Sequence, residues 1–137
     1  IRYRGIGIAE RKWVFGSLWF DTRDGVTLIW SEELKYWVRV DPATVGQYTG
    51  LKDEHGKEIY EGDVIRSPLS EDKTRPHRIF YHTGNAAFMG ALVDRKELCY
   101  LRLDQDWIYK FGKEVIGNIH DNPELIEKQT AERHKTN

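Results

Sequence analysis

The residues of this chain best suited to chemistry are cations and aromatic rings that alternate in the segment 73–82, KTRPHRIFYH. Lys73, Arg75 and Arg78 stand close to Tyr81 within it. Because phosphates attract cations and unstacked bases stack on aromatic rings, the segment predicts a nucleic-acid contact. The same alternation is typical of an ordinary β-strand, and the acidic pair at 71–72 lowers the local positive charge. A nucleic-acid contact and a plain strand therefore stay open as alternatives.

The other polar side chains lack the spacing that catalysis or metal binding requires. His77 and His82 are spaced for neither one helical face nor one strand face. Asp104 and Asp106 would share a strand face, as in a paired-carboxylate hydrolase, yet their setting is turn-like. No cation adjoins Cys99 to stabilise a thiolate, and we find no glycine-rich phosphate loop and no nucleophile elbow. We therefore expect no catalytic residue, no metal, no cofactor and no enzymatic activity.

Aromatic residues are abundant, with five tryptophans, seven tyrosines and five phenylalanines. Aromatic side chains suit β-sheets and protein interfaces equally well. We take Trp30, Trp37 and Trp107 as candidate interface residues, because exposed aromatic rings often anchor a partner. This pattern predicts a protein-interaction module, with a nucleic-acid-binding small barrel as the alternative.

Composition limits the classes of partner. The length of 137 residues predicts one domain with a substantial hydrophobic core. Twenty-one basic residues against twenty-two acidic ones give no general attraction to nucleic acid or to anionic membranes. No stretch approaches the roughly 20 apolar residues of a membrane span, and the single cysteine excludes an internal disulfide and indicates a reducing compartment. The chain starts at Ile1 rather than methionine, which leaves the native start and a removed leader open.

Turn signals are densest in residues 47–66, QYTGLKDEHGKEIYEGDVIR. Gly50, the segment 53–56 and the segment 61–63 punctuate short strand-like runs. The charged residues of this stretch predict either a charged site or the solvated rims of turns that frame buried apolar residues. They are Lys52, Lys57, Glu58, Glu61 and Asp63.

The run QYTGLKDEHGKEIYEGDVI resembles the signature of the YopX family, whose members are carried largely by bacteriophages and prophages. KYWVRVDPATVGQYTG upstream and EVIGNIHDNPELIE near the end agree in order and distance, so the resemblance extends from about Trp13 to Glu127. It departs at His55, where the family often has asparagine, and is weak across 67–100. The resemblance implies a β-rich domain that tends to self-associate and has no established activity. On this basis we expect a phage-derived protein that forms a homo-oligomer in the cytoplasm of the bacterial host, with a host or phage protein as partner.

These patterns predict a mainly β fold, with an α+β fold as the alternative. We expect an antiparallel meander at 12–46, a signature hairpin and small β-barrel-like part at 47–120, and a C-terminal helix and tail at 121–137. Asn122 is predicted to cap that helix. Residues 2–11 are predicted to form an extended or poorly specified entry, and 107–111 a further aromatic strand. Gly16 inside the first strand indicates a bulge or close packing.

Overall fold

A computed structural model describes residues 1–67, 76–93 and 100–126 of the chain. These residues are mainly β, as the sequence predicts, and their strands pair in the antiparallel direction. The strands are β1 (Tyr3–Ile6), β2 (Trp13–Asp21), β3 (Val26–Ser31), β4 (Trp37–Arg39), β5 (Gly46–Lys52), β6 (Glu58–Tyr60), β7 (Asp63–Arg66), β8 (His77–His82), β9 (Ala87–Leu92), β10 (Tyr100–Arg102) and β11 (Glu114–Asn118). One α-helix, α1, spans Gln105–Lys110, and short 3-10 helices span Pro42–Thr44 and Thr83–Asn85.

The chain divides into two compact units, Ile1–Tyr48 and Thr49–Asn137. In the first unit the strands follow the order β4-β3-β2-β1, and the start of β5 pairs with β1. The predicted meander is present as β2, β3 and β4. Val14, Ile29 and Val40 form the buried core of this unit, with Leu18 and Val38 packed against them. The single domain expected from the chain length stays a prediction.

Strand β1 agrees with an extended entry, the first of the two alternatives predicted for residues 2–11. Tyr3–Ile6 pairs with β2 on one side, where Arg4 lies opposite Phe15, and with β5 on the other. A Cβ atom at Gly5 would lie 3.2 Å from side-chain atoms of both Ile29 and Val40. Core packing therefore favours glycine at position 5. Because glycine has a low strand propensity, the sequence pattern does not indicate a regular strand here.

Gly16 in β2 confirms the prediction of close packing. Its φ of 153° is one that L side chains rarely adopt, and a Cβ atom there would overlap the carbonyl oxygen of Trp30. Gly16 lies opposite Tyr3 of β1 and Ser31 of β3. The absence of a side chain at Gly16 thus lets the backbone of β3 approach β2 closely at Trp30.

The second unit contains the end of β5, strand β6 and a five-stranded sheet in the order β10-β9-β8-β7-β11. Its core joins Ile59, Ile65 and Ile79 from the strands to Leu103 and to Ile108 of α1. Gly50 has a φ of 86°, but β5 continues through it to Lys52, so the turn predicted at Gly50 is wrong. The turn at 53–56 and the strands at 58–60 and 63–66 agree with the prediction.

The barrel-like part predicted for 47–120 is corrected to an open sheet. Across residues 49–67, 76–93 and 100–126, the strands do not close into a barrel, and β10 and β11 form the two edges. The strand predicted at 107–111 is wrong, because most of this segment belongs to helix α1. The helix is capped by Asp104, whose side chain accepts from the Trp107 N–H at 2.7 Å. Helix α1 packs on the core of the second unit through Ile108, which is fully buried.

The C-terminal helix is present at its start, over residues 124–126. Backbone N–H groups of Leu125 and Ile126 donate to the carbonyls of Asn122 and Pro123. The Asn122 side chain does not cap this turn as predicted: it accepts from the backbone N–H of Asn118 at 3.2 Å. The rest of the predicted helix and tail, 127–137, lies outside the described residues.

Candidate functional site

Three neighbouring strands of the first unit present an aromatic surface. In the register of β2, β3 and β4, Ser17, Trp30 and Trp37 lie in one row across the sheet. The next row on the same face has Trp19, Leu28 and Arg39, because side chains two positions apart on a strand share a face. We call these six residues the outer aromatic face.

Burial on the opposite side explains why these rings remain in solvent. Leu18, Ile29 and Val38 form the equivalent row on the inner face and pack in the core. On the outer face Trp19, Trp30 and Trp37 are 59%, 38% and 46% exposed. The rings of Trp30 and Trp37 meet edge to face with centroids 5.6 Å apart. Such exposed, mutually supported aromatic rings are typical of protein interfaces.

Trp30 and Trp37, two of the predicted interface residues, are thus brought together in one surface. Sequence reasoning missed Trp19, although it is the most exposed of the three tryptophans. Alternation along β2 would have grouped Trp19 with Ser17, but both faces of β2 carry apolar residues. Choosing the solvent face requires the register with β3, which no single strand reveals.

The third predicted interface residue, Trp107, belongs to different surroundings. It lies in α1, half-buried against the hydrophobic core of the second unit. The ammonium group of Lys113 lies 4.7 Å from its ring centroid, and the ring of His77 meets it edge to face at 5.8 Å. These contacts bind Trp107 into its own unit.

Strand β8 separates the described members of the predicted nucleic-acid site. Arg78 lies opposite Ala91 and Tyr81 lies opposite Phe88, which places the two side chains on opposite faces of the strand. The Arg78 guanidinium sits 5.4 Å from the Phe80 ring, and Tyr81 meets Phe88 edge to face at 5.2 Å. Lys73 and Arg75 lie outside the described residues.

Two buried carboxylates stabilise the turns of the signature stretch 47–66 by accepting backbone hydrogen bonds. Asp53 is 2% exposed, and its side chain accepts backbone hydrogen bonds from His55, Lys57 and Val115 at 2.9, 2.9 and 3.0 Å. Asp63 is 1% exposed and accepts from the Tyr60 N–H at 2.8 Å. Sequence reasoning did not single out Asp53. An aspartate whose side chain accepts from backbone N–H groups two to four residues later is typical of an Asx-turn.

His55 of this stretch forms an ion pair with Glu114 of β11 when its ring is protonated. His55 Nε2 lies 3.0 Å from a carboxylate oxygen of Glu114, which joins the turn at 53–56 to β11. This hydrogen bond, together with the nearby charges of Asp53, Glu114 and Glu54, raises the pKa of His55 above its ordinary value of 6.5. Folding therefore favours the protonated, positively charged form of the His55 imidazole, because that form binds Glu114.

The other residues weighed for chemistry have structural placements. His77 is buried beside Trp107, the His82 ring nitrogen accepts from the Asn85 N–H, and Asp104 caps α1. Cys99 lies outside the described residues. Among residues 1–67, 76–93 and 100–126, no three histidine, cysteine or acidic side chains are grouped as metal ligands would be. In the same part of the chain, no helix is long and apolar enough to cross a membrane.

The fold defines a mainly β protein of two antiparallel units, each with its own core, the first carrying an outer aromatic face. The profile of the YopX protein family matches residues 2–127, and the chain belongs to this family, as the signature stretch predicts. The crystal structure of protein EF1440 from Enterococcus faecalis is similar, with 26% identity and a TM-score of 0.59. The match covers 92% of this chain and 98% of that chain. Among curated proteins, none matches this chain.

Proposed function

We propose that this YopX family member is a non-enzymatic protein-interaction module that self-associates through the outer aromatic face. The observation that carries the proposal is the exposure of Trp19, Trp30 and Trp37 on adjacent strands. Tryptophan is the residue most enriched among the side chains that dominate binding energy at interfaces. The phage or prophage setting implied by the family resemblance belongs to the same proposal, with a host or phage protein as a further partner.

The size of the face is consistent with the centre of an interface. A tryptophan buries about 200 Å² when fully covered, so three rings at roughly half exposure would bury about 300 Å². A standard interface buries about 800 Å² on each partner. The three rings would therefore supply the apolar centre, and Ser17 and Arg39 on the same face would contribute to its polar rim.

Light scattering over a concentration series tests the proposal. We expect a mass well above 16.1 kDa that falls on dilution. Trp19→Arg should raise the dissociation constant at least about a hundredfold, because each copy carries the change at the centre of the interface. Phe20→Arg is the matched control: Phe20 is the next residue, is 56% exposed, and points to the opposite face of β2.

Two results would overturn the proposal. One is a mass of 16.1 kDa at every concentration. The other is an equal effect of Trp19→Arg and Phe20→Arg, which would mean that the outer aromatic face has no special role. Salt-sensitive oligonucleotide binding that is lost in Arg75→Glu with Arg78→Glu would put the nucleic-acid alternative in its place.

A further inference from the structure

The first unit contains a cleft of about 750 Å³. Its walls are two hairpin turns, residues 7–12 between β1 and β2 and residues 31–36 between β3 and β4. The first turn also contacts the end of β4, since the Ile8 N–H donates to the Arg39 carbonyl at 3.0 Å and Gly7 bridges to Val40. Clefts of roughly 300–1,000 Å³ are the usual size for small ligands and short peptide segments.

Both turns are closed in the same way. The Gly7 N–H donates to the Lys12 carbonyl at 2.9 Å, and the Ser31 N–H donates to the Tyr36 carbonyl at 3.0 Å. In each turn the residue before the closing one has a positive φ, 58° at Arg11 and 63° at Lys35. Arg11 donates to the Gly7 carbonyl and Lys35 to the Ser31 carbonyl. Because these hydrogen bonds fix both walls before any ligand arrives, binding would cost little ordering of the protein.

The lining combines aromatic rings with balanced charge. Its aromatic residues are Trp13, Phe15, Tyr36 and Trp37, and its exposed aliphatic residues are Ile8 and Leu34. Arg2 and Glu32 pair across 2.7 Å. Within the described part of the chain, the cations Lys12 and Arg39 and the anions Glu10 and Glu33 form no ion pair. Two cations against two anions give no net field to attract a polyanion, so the lining favours an uncharged ligand.

We infer that this cleft binds a proline-rich segment of another protein in the polyproline II conformation. The proline residues of such a segment carry no charge, and the segment loses little conformational freedom on binding and docks in grooves lined by aromatic rings. Polyproline II also leaves its carbonyl groups without internal partners. The Tyr36 side chain is 51% exposed in the cleft wall, and its hydroxyl hydrogen-bonds to nothing in the described residues, so it can donate to one of those carbonyls.

This peptide site is separate from the self-association proposed above, although Trp37 and Arg39 border both surfaces. Tyr36 lines the cleft and is not part of the outer aromatic face, whereas Trp19 belongs to that face and does not line the cleft. Variants at these two residues therefore test the two ideas independently.

Titration of the ¹⁵N-labelled chain with a ten-residue polyproline peptide tests the inference, with a ten-residue glycine–serine peptide as the control ligand. We expect saturable amide shifts within residues 7–15 and 31–39, and none with the control peptide. Tyr36→Ala should weaken binding at least about tenfold, while Trp19→Ala should leave it unchanged.

Absence of saturation at millimolar polyproline would overturn the inference. Equal shifts with both peptides, or equal weakening by Tyr36→Ala and Trp19→Ala, would do the same. An oligonucleotide that shifts the same amides more strongly than polyproline would assign the cleft to nucleic acid instead. The amide spectrum of Tyr36→Ala without ligand shows directly whether the variant is folded, and Tyr36→Phe, which loses only the hydroxyl, then tests its hydrogen bond within a nearly unchanged wall.

Discussion

At Gly16 the backbone of β2 passes so close to β3 that a side chain has no room. A Cβ atom there would overlap the carbonyl oxygen of Trp30, a backbone atom that cannot move without displacing its strand. The inner rows built on these two strands carry the core residues Val14 and Ile29. A side chain at position 16 would therefore disturb the packing of the core of the first unit.

We expect Gly16→Ala to lower the free energy of unfolding by more than about 3 kcal/mol, since it combines strained φ with a backbone overlap. Urea unfolding followed by tryptophan fluorescence would measure the change. Gly50→Ala is the matched control, because Gly50 also has a positive φ of 86° but open space around its Cβ position. It should cost only about 1 kcal/mol. Similar losses at both positions would contradict the overlap at Gly16.

His55 links a single protonation to stability. Its folded-state pKa is raised above 6.5 by the hydrogen bond to Glu114 and by neighbouring carboxylates, so folding favours the protonated ring. The contribution is therefore fully present below about pH 6.5 and is lost as the pH rises through the folded-state pKa. The stability difference between the wild-type chain and His55→Ala should be larger at pH 5.5 than at pH 8.5. Thermal unfolding of both proteins at the two pH values measures it, and a pH-independent difference would show that the pair is not formed.

At the scale of elements, Asp53 joins segments that are far apart in the sequence. One carboxylate oxygen closes the turn between β5 and β6, and the other accepts from Val115 of β11, 62 positions later. Beside it the Glu54 N–H donates to the Lys113 carbonyl, and Lys52 and Gln105 exchange two hydrogen bonds. The signature hairpin is thus held to the region of α1 and β11 by polar contacts around one buried side chain.

Asp53→Ala should lower the free energy of unfolding by about 3 kcal/mol or more, because three backbone N–H groups lose their acceptor. Asp53→Asn should have an intermediate effect, since its amide keeps one acceptor oxygen and turns a donor toward the remaining N–H groups. Chemical denaturation gives both values, with the exposed Asp24→Ala as control. An Asp53→Ala variant as stable as Asp24→Ala would mean that these hydrogen bonds contribute nothing net.

Elements with local signals could be predicted from the sequence, and elements defined by distant partners could not. The Asp-Gly turn at 24–25 and the alternation around it identified β2 and β3. Residues 2–11 were predicted to be extended or poorly specified, and the sequence did not specify strand β1, because the side chains around Gly5, those of Ile29 and Val40, are distant in sequence. Helix α1 was missed because its aromatic residues suit strands, while the deciding interaction is the cap at Asp104.

The candidate site divides in the same way. Trp30 and Trp37 could be named from residue type alone, but their grouping with Trp19 depends on strand register. The cleft depends on two turns that are 24 residues apart in sequence, Gly7 to Lys12 and Ser31 to Tyr36. No local pattern reveals that such turns face one another. The nucleic-acid hypothesis stays a prediction, with two of its four residues outside the described chain.

At the scale of the whole molecule, near-neutral charge suits the proposed self-association. A net charge of −1 gives copies of the chain little reason to repel one another at a distance. Association between copies then depends on local surfaces. The outer aromatic face is such a surface, because it exposes three tryptophan rings to solvent. Each unit has its own hydrophobic core, and that of the first unit lies on the inner face of β2, β3 and β4.

The span between Asp53 and Val115 also has a consequence during synthesis. A ribosome adding about 5–20 residues per second needs roughly 3–12 seconds to make the 62 residues that separate them. Until then one oxygen of Asp53 lacks its last protein partner, and water must solvate it. The turn can close early, but the nascent hairpin reaches its final hydrogen bonding only after Val115 has been synthesised. A stop codon before the codon for Val115 would therefore leave residues 47–66 intact in sequence but without this hydrogen bond.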